Sequence, residues 1–235
     1  MRIPQLATRA VPLLCTILTG GCSGLFHSTA HPEQTYYLRA PAAAAGNGAP
    51  ATAATAAVAA SLRVAHPAAA PGLDSSHIML VQADHRMNFY IGSRWPAPVA
   101  DVLEALAVET LRASGAWTSV EDSTSPFPSD YLLQVAVRRF EADYTAGGAV
   151  PEVHVTLDCI MGRRAGRDVV ATFAVSGAQL ATANRLSDVV SAFEQATGAA
   201  LGALSQQAAQ AARAAAEQGA QNQDRPTPSI SRQSQ

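Results

Sequence analysis

The 235-residue chain contains no lysine: all 16 of its basic residues are arginine. That absence excludes Schiff-base catalysis, a Ser-Lys pair and the lysine of a phosphate-binding loop. No block of basic residues occurs, and the formal net charge of −2 becomes more acidic without Arg2 and Arg9, so a nucleic-acid partner is not expected. Cysteine is equally scarce. Of the three, Cys15 lies in an N-terminal apolar run and Cys22 just beyond it, which leaves Cys159, in a strand-like segment, as a small apolar residue with no intramolecular disulfide partner. A Gly-x-Ser-x-Gly elbow, a glycine-rich phosphate loop and a His-Glu-x-x-His helix are all missing. His27 and His31 have metal-like spacing but no nearby Cys, Asp or Glu in a fixed arrangement, and His154 and Asp158 stand too far apart on an extended strand to bond directly. These absences predict a protein that is not an enzyme and carries no cofactor or metal.

Long apolar runs are missing too. Val11 to Leu18, preceded by Arg2 and Arg9, is too short to cross a bilayer and reads as an export signal. It ends in Leu18-Thr19-Gly20-Gly21-Cys22, which resembles a bacterial lipobox with Cys22 as the acylated residue, palmitate among its chains. The usual leucine is shifted one place, since Thr19 stands three residues before the cysteine, and an ordinary secretory signal with an incidental cysteine is the other reading. Ser23 follows the cysteine where inner-membrane lipoproteins of many Gram-negative bacteria carry aspartate. The expectation is a protein lipid-anchored in the outer membrane and facing the periplasm.

The chain then divides by composition: a signal over 1–21, a tether over 22–34, a domain over 35–212 and a polar, disordered tail over 213–235. An Ala/Gly/Pro tract at 40–60 lacks periodicity and large side chains, and is expected to be a mobile insertion in the domain. Strand-like segments are expected at 35–39, 62–64, 78–81, 88–91, 117–120, 133–138, 153–161 and 169–175, the last three joined as antiparallel hairpins through glycine-containing turns. Val99, Val102, Leu103, Leu106 and Leu111 recur at helical spacing behind Pro96 and Pro98, predicting a helix over 97–115. A second follows over 186–211, with Leu186, Val189, Val190, Phe193, Leu201 and Leu204 on one face.

Tyr36-Tyr37-Leu38 after the lipobox, the hairpin into Tyr90 and Arg94-Trp95, the helix that follows, Val135-Ala136-Val137-Arg138-Arg139-Phe140-Glu141 and a long closing helix together resemble the ABC-type transport auxiliary lipoproteins. That family includes the paraquat-inducible C component. The chain departs from it in the 40–60 insertion and in Ile160-Met161-Gly162, where such proteins tend to carry a tryptophan. The resemblance implies an α/β fold: a mixed, largely antiparallel sheet with two long helices packed on one face, similar to the N-terminal domain of the Tol translocation protein. It also implies a non-catalytic subunit of a mammalian-cell-entry (MCE) type ABC system for lipid transport, an adaptor between the MCE-domain protein and the outer membrane. A phospholipid ligand and a homo-oligomer are part of that expectation. A lipoprotein binding module that regulates cell-wall synthesis is the rival.

Tyr90, Arg94 and Trp95 are the candidate partner contacts, because aromatic rings and arginine dominate interface hot spots; local packing of the tryptophan at the helix entrance is the alternative. Arg138 is a further candidate. On an alternating strand Arg138 and Arg139 point to opposite faces, so at most one can reach a carboxylate or phosphate, and either can serve as an edge charge that discourages aggregation.

Overall fold

The computed structural model describes residues 33–40 and 57–223. The signal, Cys22, His27 and His31, most of the tether, the centre of the Ala/Gly/Pro tract and the last twelve residues lie outside the described residues.

The longest stretch of alternating hydrophobicity becomes the spine of the sheet. Strand β7 (Tyr131–Asp143) turns Tyr131, Leu133, Val135 and Val137 into the core and leaves Gln134 and Arg138 exposed. One of its edges is paired along its length with β8 (Glu152–Arg163), which pairs in turn with β9 (Asp168–Leu180), both antiparallel. Three short strands share the other edge: β2 (Val58–Val64) beside Tyr131 to Leu133, β3 (Ala68–Ala69) beside Ala136 and Val137, and β4 (His77–Val81) beside Ala142 and Asp143. All three run parallel to β7. Beyond β2 lies β6 (Trp117–Glu121); beyond β4 lies β5 (Met87–Arg94), then β1 (Gln34–Thr35), which completes a nine-stranded sheet.

The expectation of a mixed, largely antiparallel sheet holds by paired length, which the long β7–β8–β9 ladders and the β4–β5 hairpin dominate. The other five of the eight pairings are parallel. Two of the expected limits also move. Val58 is buried opposite Trp117, so the strand begins inside the tract read as a mobile insertion. The second helix runs on to Gln223 where a disordered tail was expected, because alanine is the strongest helix former and Ala212 and Ala215 still find the core.

Helices α1 (Val99–Ala113) and α2 (Leu186–Gln223) cover the inward side of the sheet and touch each other. The α1 helix starts behind Pro98, and the chain leaves it through Gly115 at φ 61°, a left-handed conformation that glycine adopts without a side-chain clash. The α2 helix lies close against β9. A Cβ added to Gly177 would sit 1.9 Å from the Ala196 carbonyl oxygen, so the helix reaches this distance only because Gly177 has no side chain. Gly177→Ala should therefore push the helix outward and destabilise the fold by about 1–3 kcal/mol or more, read as a lowered urea midpoint. An unchanged midpoint would contradict this packing.

Candidate interaction surface

The β4 and β5 strands form a hairpin through a turn at 82–86, with His85 at φ 64°. This hairpin delivers Tyr90, Arg94 and Trp95, and the three side chains have different surroundings. Tyr90 packs half-buried on the core with its hydroxyl 2.9 Å from that of Tyr144, which donates to Asn184 Oδ1 (2.7 Å). Burial, then the Tyr144 hydroxyl, push the Tyr90 phenol above its ordinary value, so it stays neutral. Arg94 is partly exposed; it donates to the Trp95 carbonyl (3.3 Å) and to Glu33 Oε2 (3.3 Å). Trp95 is 0% exposed.

The tryptophan therefore corrects the expectation of a single contact group. Its ring stands edge-on to Phe140 and Phe193, with centroids 5.9 and 5.3 Å away, and its backbone N–H donates to the Ser76 carbonyl. The packing alternative weighed from sequence describes Trp95, whereas Tyr90 and Arg94 retain accessible surface. The Trp95 indole N–H has no hydrogen-bond partner among the described residues, so the ring is held by contact area alone.

Sequence reasoning passed over the other side of β5. Tyr90 faces the core, so alternation turns Met87, Phe89 and Ile91 away from it; all three are exposed, Ile91 at 90%. Phe89 rests on the His77 ring at 4.4 Å. Among the described residues the outer edge of β5 is paired only where β1 meets Ser93 and Arg94, and Tyr37, 70% exposed, follows β1. A sheet edge with open backbone groups and an apolar row is a template for another chain. The alternation over 87–92 was the signal that could have revealed it.

On the sheet side away from the helices, a β-bulge changes the arginine pair. The register of β7 on β8 slips between Val137 and Arg139, so the core positions change from odd to even numbers, continuing at Phe140 and Ala142. Arg138 and Arg139 consequently both leave the core instead of pointing to opposite faces. Arg138 donates to Asp158 Oδ2 (2.6 Å); Arg139 donates to Glu141 Oε1 (2.6 Å) and Asp143 Oδ2 (2.8 Å). Burial would raise the Asp143 carboxyl, but the Thr145 hydrogen bonds and the Arg139 guanidinium outweigh it and hold the group below its ordinary value of 3.8. His154 approaches Glu152 (3.4 Å), and Asp158 is taken by Arg138.

Arg94, Arg138 and Arg139 are thus each held by a carboxylate within the fold. The Cys159 thiol is buried in β8, and burial followed by the nearby Asp158 charge pushes it up to about 12, far from a reactive thiolate. No three His, Cys, Asp or Glu side chains among the described residues are placed to hold a metal ion. No described helix is long and apolar enough to cross a membrane.

A family model described as "ABC-type transport auxiliary lipoprotein component" matches residues 36–216. The crystal structure of protein XCC0632 from Xanthomonas campestris, of the DUF330 family model, is 26% identical, with a TM-score of 0.65 over 79% of this chain and 97% of that one. An uncharacterized protein at 15% identity has a TM-score of 0.50 over 79% of this chain and 99% of the other, a likeness of fold alone. More distantly, PelC from Paraburkholderia phytofirmans, crystallised as a dodecamer, shares 18% identity and a TM-score of 0.37 over 62% of this chain and 87% of its own. No curated protein matches. The expected likeness to the Tol translocation protein finds no support among these structures.

Two outcomes follow from the buried groups. Trp95→Ala should cost about 3–5 kcal/mol in thermal or urea unfolding, whereas Trp95→Phe should cost much less because no indole hydrogen bond is lost. Equal, small effects of both would contradict the core assignment. Asp143, with its folded value depressed, contributes stability that is complete above its unfolded value and is lost as the pH falls through the folded one. Asp143→Asn should therefore show a shallower loss of stability from about pH 5 to pH 2 than wild type in urea unfolding. Identical slopes would contradict the Arg139–Asp143 pairing.

Proposed function

Because the chain belongs to the ABC-type transport auxiliary lipoprotein component family, we propose that it is the non-catalytic subunit of an MCE-type ABC system for phospholipid transport. In this reading Cys22 anchors it in the outer membrane, facing the periplasm, and the folded domain is the adaptor that meets the MCE-domain protein. Family members are transport auxiliary lipoproteins, typically non-catalytic, and lipoprotein character implies anchoring to a membrane. The observation that supports an assembled adaptor is the β5 edge, where Met87, Phe89 and Ile91 are exposed beside backbone that is unpaired among the described residues.

A second copy of the chain is the occupant that suits this edge, since strand addition would pair its backbone and cover its apolar row in one step. Tyr90, Arg94 and Arg138 remain the contacts proposed for the MCE-domain protein. The purified full chain should be a homo-oligomer at micromolar concentration by light scattering. Ile91→Arg should shift it toward monomer with little change in melting temperature, since Ile91 is 90% exposed. A wild-type monomer, or an Ile91→Arg oligomer of unchanged size, would contradict the edge assignment. Affinity capture from native membranes should bring down an MCE-domain protein with its ATPase and permease; recovery of a peptidoglycan synthase instead would replace the transport reading with a cell-wall role.

A further inference from the structure

The β8–β9 hairpin ends in Gly162-Arg163-Arg164-Ala165-Gly166-Arg167-Asp168, three arginines within five residues. Register places this end beside Tyr131, at the start of β7, whereas the β5 row lies toward the other end, where Met87 pairs with Val81 and Val81 with Asp143. Arg163 is engaged, donating to the Ala215 carbonyl at 3.3 Å. Arg164 and Arg167 are exposed, and neither side chain has a hydrogen-bond or ion-pair partner among the described residues. Both residues line a cavity of about 450 Å³ whose apolar lining comes from Leu132, Ile160 and Val169. Ile160 and Val169 are large, exposed apolar side chains, and Asp168 is the one carboxylate in the lining.

The β7–β8–β9 registers explain why these groups share one side. Leu132 pairs with Gly162 and Gly162 with Val169, while Gln134 pairs with Ile160, and these positions are out of phase with the core residues Leu133 and Met161. The cavity adjoins a second, of about 790 Å³, and Gln134 and Ile160 line both. The floor of the second is made low by Ala136 and Ala174 and ends at the Arg138–Asp158 ion pair. An open trough thus begins beside Arg164 and Arg167 and continues over apolar side chains.

We propose that this trough binds a single amphiphile carrying a phosphate, with the phosphate held by Arg164 and Arg167 and the proximal acyl chain lying on Leu132, Ile160 and Val169. Guanidinium is suited to phosphate because its planar fork offers parallel N–H donors, and the apolar floor would be of no use to an inorganic anion. The assignment deepens the lipid-transport reading and rests on it for the source of the ligand: the subunit holds phospholipid itself, in addition to bridging proteins. Salt bridges within the fold hold Arg138, Arg139 and Arg94, whereas no such pair holds Arg164 or Arg167 among the described residues.

The test uses the full chain carrying Cys22→Ala, so that no anchor holds it to vesicles. A fluorescent short-chain phosphatidylglycerol is titrated into the protein, inorganic phosphate is titrated separately, and capture of the MCE-domain protein is measured in parallel. Saturable phosphatidylglycerol binding is expected. Arg164→Ser with Arg167→Ser should weaken it on the order of tenfold or more without lowering the melting temperature, and Ile160→Ser should weaken it while leaving the arginines in place. Inorganic phosphate should not compete at equal concentration. Phosphate binding that matches the lipid and ignores Ile160→Ser would overturn the amphiphile assignment in favour of a free-anion site. Lipid binding unchanged in the double variant, or no lipid binding by wild type, would overturn the site itself. Capture of the MCE-domain protein by the double variant separates these failures from failure of the adaptor reading, which would abolish capture in wild type as well.

Discussion

The packing of Trp95 between Phe140 and Phe193 is the contact on which the arrangement depends, because it ties together the exit of β5, the spine strand β7 and the covering helix α2. Phe140 and Phe193 also meet directly, at 5.0 Å, so the three rings form a closed group. Trp95 directly follows the last residue of β5 and is followed by the prolines that start α1; fixing its ring fixes where the strand stops and the helix begins. The edge of β5 can remain open because its far end is anchored in this way. Gly177 acts on the other side of the same core, letting α2 descend far enough for Phe193 to reach the tryptophan.

Much of this frame was legible in the sequence because it follows from periodicity. The two helical stripes, the alternation of β7, β8 and β9 and the β4–β5 turn were all expressed in local spacing. What was not legible depends on distant partners. The pairing of β2, β3 and β4 with one edge of β7 leaves no turn signal, since parallel neighbours are not joined by hairpins. Alanine between 213 and 223 reads as polar tail when composition is averaged, yet it forms helix because alanine favours helix and Ala215 still reaches the core. The bulge at Arg138 adds one residue, which no alternation rule foresees, and that residue decides which way Arg139 points. Tryptophan was ambiguous for a related reason: the same ring suits a core or an interface, and only burial distinguishes them.

Helices on one side of a sheet leave the other side and the edges without cover. In this chain those surfaces are chemically distinct. The β5 edge offers backbone hydrogen bonds and a row of Met87, Phe89 and Ile91; the open face offers arginines, of which those on β7 are neutralised by Asp158, Glu141 and Asp143 while those at the β8–β9 hairpin are not. The strongly shifted groups, Tyr90 and Cys159, lie on the covered side of the sheet and are held neutral by burial.

On the proposed reading, the β5 edge is filled by a second copy of the chain. Amide hydrogen exchange at two protein concentrations tests it directly, because an unpaired strand edge exchanges quickly and a paired one does not. Amides of residues 87–92 that face away from β4 should become protected as concentration rises from well below to well above the oligomerisation range, while those of β7 and β8 stay equally slow throughout. Protection of 87–92 that does not change with concentration, in a chain that nonetheless oligomerises, would place the interface elsewhere and contradict the account.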